Sequence, residues 1–198
     1  MQIARKSVYF ESNASSLRRS YRNIGSDEQL KKMSQAIASD FTMPIKVTGL
    51  KFTNLDNLAD SMLIEYNLDI KNIIQEVAGM KILNLPWTGK FASLDIVTEE
   101  TRKYPLELWS FMNDDFNSEV MSIALPKGKS FVEIPQNANY DCANASYQLT
   151  FDTKTPGMVF IHRNFKRKTE QVSPEQYSAF REFIHQVSES DNKQYAIK

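Results

Sequence analysis

The segment from Asp60 to Lys71 is the pattern that most limits the fold of this chain. Apolar side chains occupy every second position, at Met62, Ile64, Tyr66, Leu68 and Ile70, and the polar residues Ser61, Glu65, Asn67 and Asp69 point the other way. Because successive side chains of a strand point to opposite faces of a sheet, this alternation predicts a strand with one buried and one hydrated face. We therefore expect a fold built on antiparallel sheet.

Apolar alternation and the turn residues between apolar runs predict further strands along the chain. They cover residues 2–11, 43–52 with a bulge or bend at Gly49, 73–85, 106–111, 119–125, 130–134, 146–153, 158–168 and 194–198. For the part of 73–85 that precedes Gly79, a helix is the alternative. Turns are predicted at residues 126–128, 135–137 and 155–157. This spacing favours antiparallel pairing.

Three helices are predicted from capping signals and apolar stripes. The first begins at Asn13 and ends at Gly25, and the second begins at the capping-box sequence from Ser26 to Gln29 and ends near Asp40. The last helix begins at the sequence from Ser173 to Gln176, where a serine precedes a proline at the first helical position. Its core face is predicted to carry Tyr177, Phe180, Phe183, Ile184 and Val187.

These elements indicate an α+β protein dominated by antiparallel, sandwich-like sheet, with a helical pair near the N-terminus and an amphipathic helix near the C-terminus. The 198 residues suffice for a single β-rich module with a sizeable core. An alternative divides the chain into subdomains of residues 1–86 and 105–198. The connection between them would be residues 87–104, where no clear periodicity is present.

Charge and residue usage argue against several functional classes. Lys plus Arg and Asp plus Glu both total 24, so the net charge is zero, and we expect neither nucleic acid nor a membrane span. The basic segment from Arg163 to Lys168 is interpreted as an outer strand guarded by lysines. One cysteine and two histidines cannot form a four-ligand Cys/His zinc site, and the six glycines form no dinucleotide loop. We therefore expect no cofactor.

Few side chains are candidates for chemistry or binding. Cys142 and His162 are the only pair that suggests a thiolate nucleophile and its base, and we interpret Cys142 as an inert, partly buried thiol. Trp87, Tyr104 and Trp109 are candidates for stacking on a sugar or peptide. Packing between the two halves of the chain is the favoured role for these three aromatic residues.

The order of several short motifs resembles that of a known protein region. These motifs are Leu17–Arg22, Asn54–Leu58, Thr101–Leu106, Ile123–Gly128, Val132–Pro135, Pro174–Tyr177 and Phe180–Phe183. Together they resemble the C-terminal, non-catalytic region of Bacteroides-type transglutaminase-like envelope proteins, over nearly all 198 residues. In that family a papain-like Cys-His-Asp core precedes domains of unknown function.

The resemblance implies a β-rich, non-catalytic accessory or interaction module of an exported protein. Its partner would be the transglutaminase-like core or another envelope protein, in the periplasm or at the cell surface. The chain contains no apolar run of the length that a secretory signal requires, so the export signal would lie elsewhere. A carbohydrate- or peptide-binding β-module is the first alternative, and a cysteine hydrolase using Cys142 and His162 is the second.

Overall fold

A computed structural model describes residues 1–87, 89–112, 115–133 and 135–198, except for the side chains of residues 11 and 12. Three α-helices are present in these ranges: α1 (Glu11–Tyr21), α2 (Ser26–Ala38) and α3 (Tyr177–Asp191). The strands are β1 (Gln2–Tyr9), β2 (Ile45–Thr53), β3 (Met62–Ile70), β4 (Ile74–Val77), β5 (Met80–Asn84), β6 (Leu106–Glu107), β7 (Phe116–Ala124), β8 (Ala138–Asp141), β9 (Ala145–Asp152), β10 (Met158–Arg167), β11 (Gln171–Val172) and β12 (Gln194–Ile197).

Seven of the strands form one antiparallel sheet in the order β2-β3-β1-β7-β10-β9-β8. β1 lies between β3 and β7, with Ile3 opposite both Leu68 and Ile123. The predicted alternation of β3 is confirmed, since the five apolar residues of the predicted stripe are buried and the residues between them are partly buried or exposed. The predicted irregularity in β2 is also confirmed: the register with β3 shifts between Thr48 and Lys51, and Gly49 has a φ of +63°.

A smaller three-stranded sheet has the order β12-β5-β4. The chain predicted as one strand over residues 73–85 is instead a hairpin, because Ala78 and Gly79 both adopt positive φ and turn β4 into β5. Two consecutive left-handed residues match the twist of a tight hairpin. The predicted C-terminal strand is confirmed as β12, which pairs with β5. β6 and β11 form a separate two-stranded ladder.

The helices cover the inner face of the seven-stranded sheet from two ends. α2 packs against β2, and the ring of Tyr21 at the end of α1 lies 5.0 Å from that of Phe52. α3 packs at the opposite end, where Phe183 faces Phe165 of β10. All five residues predicted for the core face of α3 are buried. The fold is therefore α+β and mainly antiparallel, as the sequence predicts.

The predicted start of each helix differs in detail from the structure. Gly25 caps α2 without a side-chain hydrogen bond, and Gln29 donates instead to the carbonyl of Tyr21, which joins α2 to α1. α1 begins at Glu11 and not at Asn13. The residues from Ser173 to Gln176 form a turn, and α3 begins after them at Tyr177. A local capping pattern cannot predict these details, because they depend on tertiary contacts.

Two predicted strands are shorter than expected, and two observed strands are not predicted. Within residues 106–111 only β6 is extended, and a 3₁₀ turn follows it at Leu108–Ser110. In the described part of residues 130–134, Phe131 makes an isolated bridge to Ile197, while Ile134 lies outside the described residues. β8 and β11 have short, polar sequences that carry little alternation.

Strands from both halves of the chain share the large sheet, where β1 pairs with β7, and the small sheet, where β5 pairs with β12. The division into subdomains at residues 87–104 stays a prediction. A 3₁₀ turn at Leu94–Val97 lies inside this connection. Among the helices in the described ranges, none has the length and apolarity needed to cross a membrane.

Candidate functional site

Four charged side chains meet on the inner face of the large sheet, between the two groups of helices. Arg5 of β1 and Arg163 of β10 both bind Glu119 of β7, and Arg163 Nη2 lies 2.6 Å from Glu119 Oε2. Arg163 Nη1 donates to Asp191 Oδ2 at the end of α3 over 2.8 Å. All four are at least nine-tenths buried as side chains. We call this set the arginine–carboxylate network.

The network also fixes the backbone of the segment 85–92, which we call the connecting loop. Arg5 Nη2 donates to the carbonyl of Pro86, and Arg163 Nη2 donates to the carbonyl of Gly89 over 3.0 Å. The guanidinium of Arg163 lies 3.9 Å from the ring centroids of both Trp87 and Phe91. Cation–π contacts of a desolvated guanidinium contribute about 2 kcal/mol each. These contacts hold Pro86, Trp87, Gly89 and Phe91 of the connecting loop against the network.

Asp191 joins the network to α3 and to the connecting loop. Its Oδ1 accepts a hydrogen bond of 2.6 Å from the hydroxyl of Tyr147, and its carbonyl accepts one of 3.0 Å from Trp87 Nε1. Burial raises the pKa of the Asp191 carboxyl and lowers the pKa of Arg163, and the attraction between their charges opposes both shifts. Burial similarly lowers the pKa of Arg5 to about 10.

The network holds two positive and two negative groups, so its charges balance. Removing one member would leave a buried charge without its counterion, which is strongly unfavourable in a medium of low dielectric constant. The hydrogen bonds of each carboxylate go to arginine and tyrosine side chains within the protein. The arginine–carboxylate network therefore has a structural role. It positions α3, β1, β7, β10 and the connecting loop relative to one another.

A cleft of about 710 Å³ opens beside the network. Its walls are the connecting loop, the C-terminal end of α3 with the residues after it, the β4–β5 hairpin, and residues 40–43 after α2. Volumes of about 300–1,000 Å³ are typical of small-molecule sites. Asp191, a member of the network, and Trp87, which contacts Arg163, both also line the cleft. The cleft is therefore the candidate functional site.

The three predicted ligand-contact residues are not brought together at this site. Trp87 lines the cleft, whereas Tyr104 and Trp109 are absent from its walls. Tyr104 is 78% exposed and Trp109 is 63% exposed, so neither packs in the interior between the halves of the chain. Trp109 Nε1 donates to Glu107 over 3.1 Å.

Cys142 and His162 lie apart in the large sheet. The amide of Cys142 bonds to the carbonyl of Ala145, while His162 of β10 stands opposite Thr150 of β9. The five residue steps from Ala145 to Thr150 separate them along the strands by about 16 Å at 3.3 Å per step. Because a nucleophile and its base must be within hydrogen-bond reach, the geometry does not support the predicted pair.

The buried charges are the site residues that the sequence reading missed. The interpretation of Arg163 to Lys168 as a guarded outer strand is wrong, since β10 lies between β7 and β9 and Arg163 is 1% exposed. Arg167 and Lys168 instead bind Asp115 and Asp141. The sequence does contain a signal for this burial. Arg163 lies two residues from both Ile161 and Phe165, so strand alternation places all three on the core face.

No group of three or more His, Cys, Asp or Glu side chains in the described ranges could hold a metal ion. In comparisons with known proteins, the family model of a domain of unknown function with a solved structure, DUF3858, matches residues 79–197. No curated protein and no solved structure matches the chain.

Proposed function

We propose that this chain, which belongs to the DUF3858 family, is a non-catalytic accessory or interaction module of an exported transglutaminase-like protein. The order of the short motifs along the sequence supports this context. The family match covers the connecting loop, α3 and the strands from β5 onward, and therefore most of the cleft wall.

The observation that carries the proposal is how the molecule uses its buried charged groups. Arg5, Glu119, Arg163 and Asp191 bind one another and the connecting loop, an arrangement that builds a scaffold. The surfaces left for function are loops and clefts that this scaffold holds in place. Tyr104 and Trp109 are large exposed aromatic side chains, a residue type enriched in protein interfaces, and they offer a contact surface outside the cleft.

The test is to read the coding sequence on both sides of these 198 residues and to assay the encoded neighbour. We expect a region with a Cys-His-Asp constellation and an export signal, and we expect that region to bind this chain in isothermal titration calorimetry. Tyr104→Ala with Trp109→Ala should weaken the association at least tenfold. A gene without such a region, or an encoded region that shows no measurable binding to this chain, would contradict the proposal.

A second candidate function is binding of a carbohydrate or a peptide in the cleft. The observation that favours it is the position of Trp87, whose ring is held by Arg163 and Asp191 while it lines the cleft. Aromatic rings with a fixed orientation are common at binding sites because ordering them costs little conformational entropy. Binding at the cleft and binding of a neighbouring core are separable, since they use different aromatic residues.

A further inference from the structure

We propose that the cleft binds a short, uncharged oligosaccharide, an inference that rests on the ligand-binding function proposed above and selects carbohydrate over peptide. Three features of the described residues carry it: a row of carboxamide side chains, one fixed aromatic ring, and the absence of a strong charge excess in the cleft wall.

The carboxamides come from one face of the three-stranded sheet and from the end of α3. Asn84 of β5 and Gln194 of β12 stand directly opposite each other. Gln75 of β4 pairs with Ile82, two residues before Asn84, so its side chain belongs to the same face. Asn192 follows α3, and all four carboxamides line the cleft. Thr42 and Ser188 add two hydroxyls to its wall.

Carboxamides match the hydrogen-bonding pattern of sugars. Each sugar hydroxyl donates one hydrogen bond and accepts others, and each carboxamide provides two donor hydrogens and an acceptor oxygen. Asn84, Gln75 and Gln194 are exposed, and within the described residues no hydrogen bond occupies their side chains. Asn192 Nδ2 donates to the carbonyl of Ser188 over 2.7 Å, which leaves its amide oxygen for a ligand. A peptide in extended form would need a ladder of backbone groups along a strand edge. The cleft instead presents side chains from the face of the small sheet.

Trp87 supplies the apolar surface that a pyranose ring requires. Arg163 covers one face of the indole, with its guanidinium held between Trp87 and Phe91. Trp87 is half-buried, and the part of its ring that Arg163 does not cover lines the cleft. The face of an aromatic ring is electron-rich, so it attracts the weakly positive C–H groups of a sugar ring. The hydrogen bond from Trp87 Nε1 to Asp191 fixes the orientation of this platform.

The charges of the cleft favour an uncharged ligand. Asp191 is paired with Arg163 inside the charge-balanced network, which leaves Lys90 and Lys193 against Asp40, an excess of one positive charge. Desolvation by burial raises the pKa of Asp40. No large field of either sign results, so a strongly anionic or cationic ligand would gain little from the wall of the cleft.

The experiment uses the full chain with Trp109→Phe, which leaves Trp87 as its only tryptophan. Neutral β-1,4-, α-1,4- and α-1,6-linked oligosaccharides of two to six units are titrated while tryptophan fluorescence is recorded, and calorimetry confirms each response. We expect saturable binding of at least one series. Asn84→Ala and Gln194→Ala should weaken it at least tenfold each, because each removes one carboxamide from the row.

Asn139→Ala is the matched control, because it removes a carboxamide from β8, outside the cleft, and should leave the affinity unchanged. Trp87→Ala should abolish binding, and circular dichroism verifies that each variant is folded. Unmodified tetrapeptides form the comparison set. If tetrapeptides bind and saccharides do not, carbohydrate is the wrong class while ligand binding stands. If neither binds the folded chain, the inference is overturned, and the association with a transglutaminase-like core remains to be judged by its own assay.

Discussion

At the scale of single residues, the molecule depends most on charges buried in the middle of its sheet. Arg163 shows how one side chain serves several elements: it binds Glu119 of β7, Asp191 of α3 and the carbonyl of Gly89. A hydrophobic residue of similar volume could fill the same space, but it could not specify the position of three separate backbone segments. We infer that the network is retained for conformational specificity, a role that buried polar groups have in some proteins.

The first prediction concerns Glu119, the carboxylate shared by both arginines. Glu119→Gln should lower the free energy of unfolding by about 3–5 kcal/mol, because it leaves two buried guanidiniums without their common counterion. Urea unfolding followed by circular dichroism measures this loss. The control is Asp56→Ala, which breaks the exposed ion pair with Arg22 and should cost less than about 1 kcal/mol. Equal losses in the two variants would show that the buried network contributes no more to the free energy of unfolding than an exposed ion pair does.

The second prediction concerns alkaline pH and Tyr195. Burial, with the nearby charge of Asp191 as the next cause, raises the pKa of Tyr195 from 10.0 to about 12. Between these pH values the unfolded chain has already released the proton that the folded chain still holds. The free energy of unfolding should therefore fall as the pH rises from 10 to 12.

Tyr195→Phe should reduce this decline, which is measured by urea unfolding at a series of pH values. Tyr104→Phe removes an exposed hydroxyl and should leave the decline unchanged. If the free energy of unfolding falls with the same slope in Tyr195→Phe and in the unsubstituted chain, Tyr195 is not the cause of the decline.

At the scale of elements, periodicity predicted the long strands and the face of α3 because their burial repeats regularly. β3 and β10 carry unbroken alternation, and the core face of α3 follows the helical period. The short strands β8 and β11 owe their extended form to pairing with β9 and β6, which a local pattern does not contain. Of the cleft, only Trp87 was predicted, because the site assembles segments that are distant in sequence.

The third prediction concerns the β4–β5 turn. Gly79 has a φ of +78°, and Gly79→Ala should lower the free energy of unfolding by about 1 kcal/mol because a Cβ disfavours the left-handed region. A Cβ at this position would meet no atom within 4 Å, so the loss measures backbone strain alone. Gly89→Ala also adds a Cβ into open space, but at a position without positive φ, and should be nearly neutral. Thermal unfolding of both variants tests the difference.

At the scale of the whole molecule, the large sheet unites sequence from both sides of the connecting loop. The family match begins at Gly79, inside the β4–β5 turn, yet β1, β2 and β3 supply three of the seven strands of the large sheet. Arg5, which completes the arginine–carboxylate network, also comes from outside the matched range. The part of the chain before residue 79 is therefore integral to this fold.

The fourth prediction follows from this arrangement. A chain of residues 79–198 should fail to form the sheet, because β7 would present an unpaired edge and Glu119 would lack Arg5. We expect it to elute as aggregate in size-exclusion chromatography, with no cooperative thermal transition. Co-expression with residues 1–78 should restore soluble protein, whereas co-expression with an unrelated peptide of equal length should not. A monomeric 79–198 with a cooperative transition would contradict this prediction.

The position of β1 has a consequence for how the protein is made. β1 leaves the ribosome before the other strands of the large sheet and can pair with β3 once residue 70 is available, but its second neighbour, β7, ends only at Ala124. For more than fifty residues of translation, one side of the nascent β1–β3 ribbon has no hydrogen-bonding partner. Such long-range pairing is slow and prone to association between chains. In a cell, the yield of this protein should therefore rise with slower elongation or with a holdase chaperone.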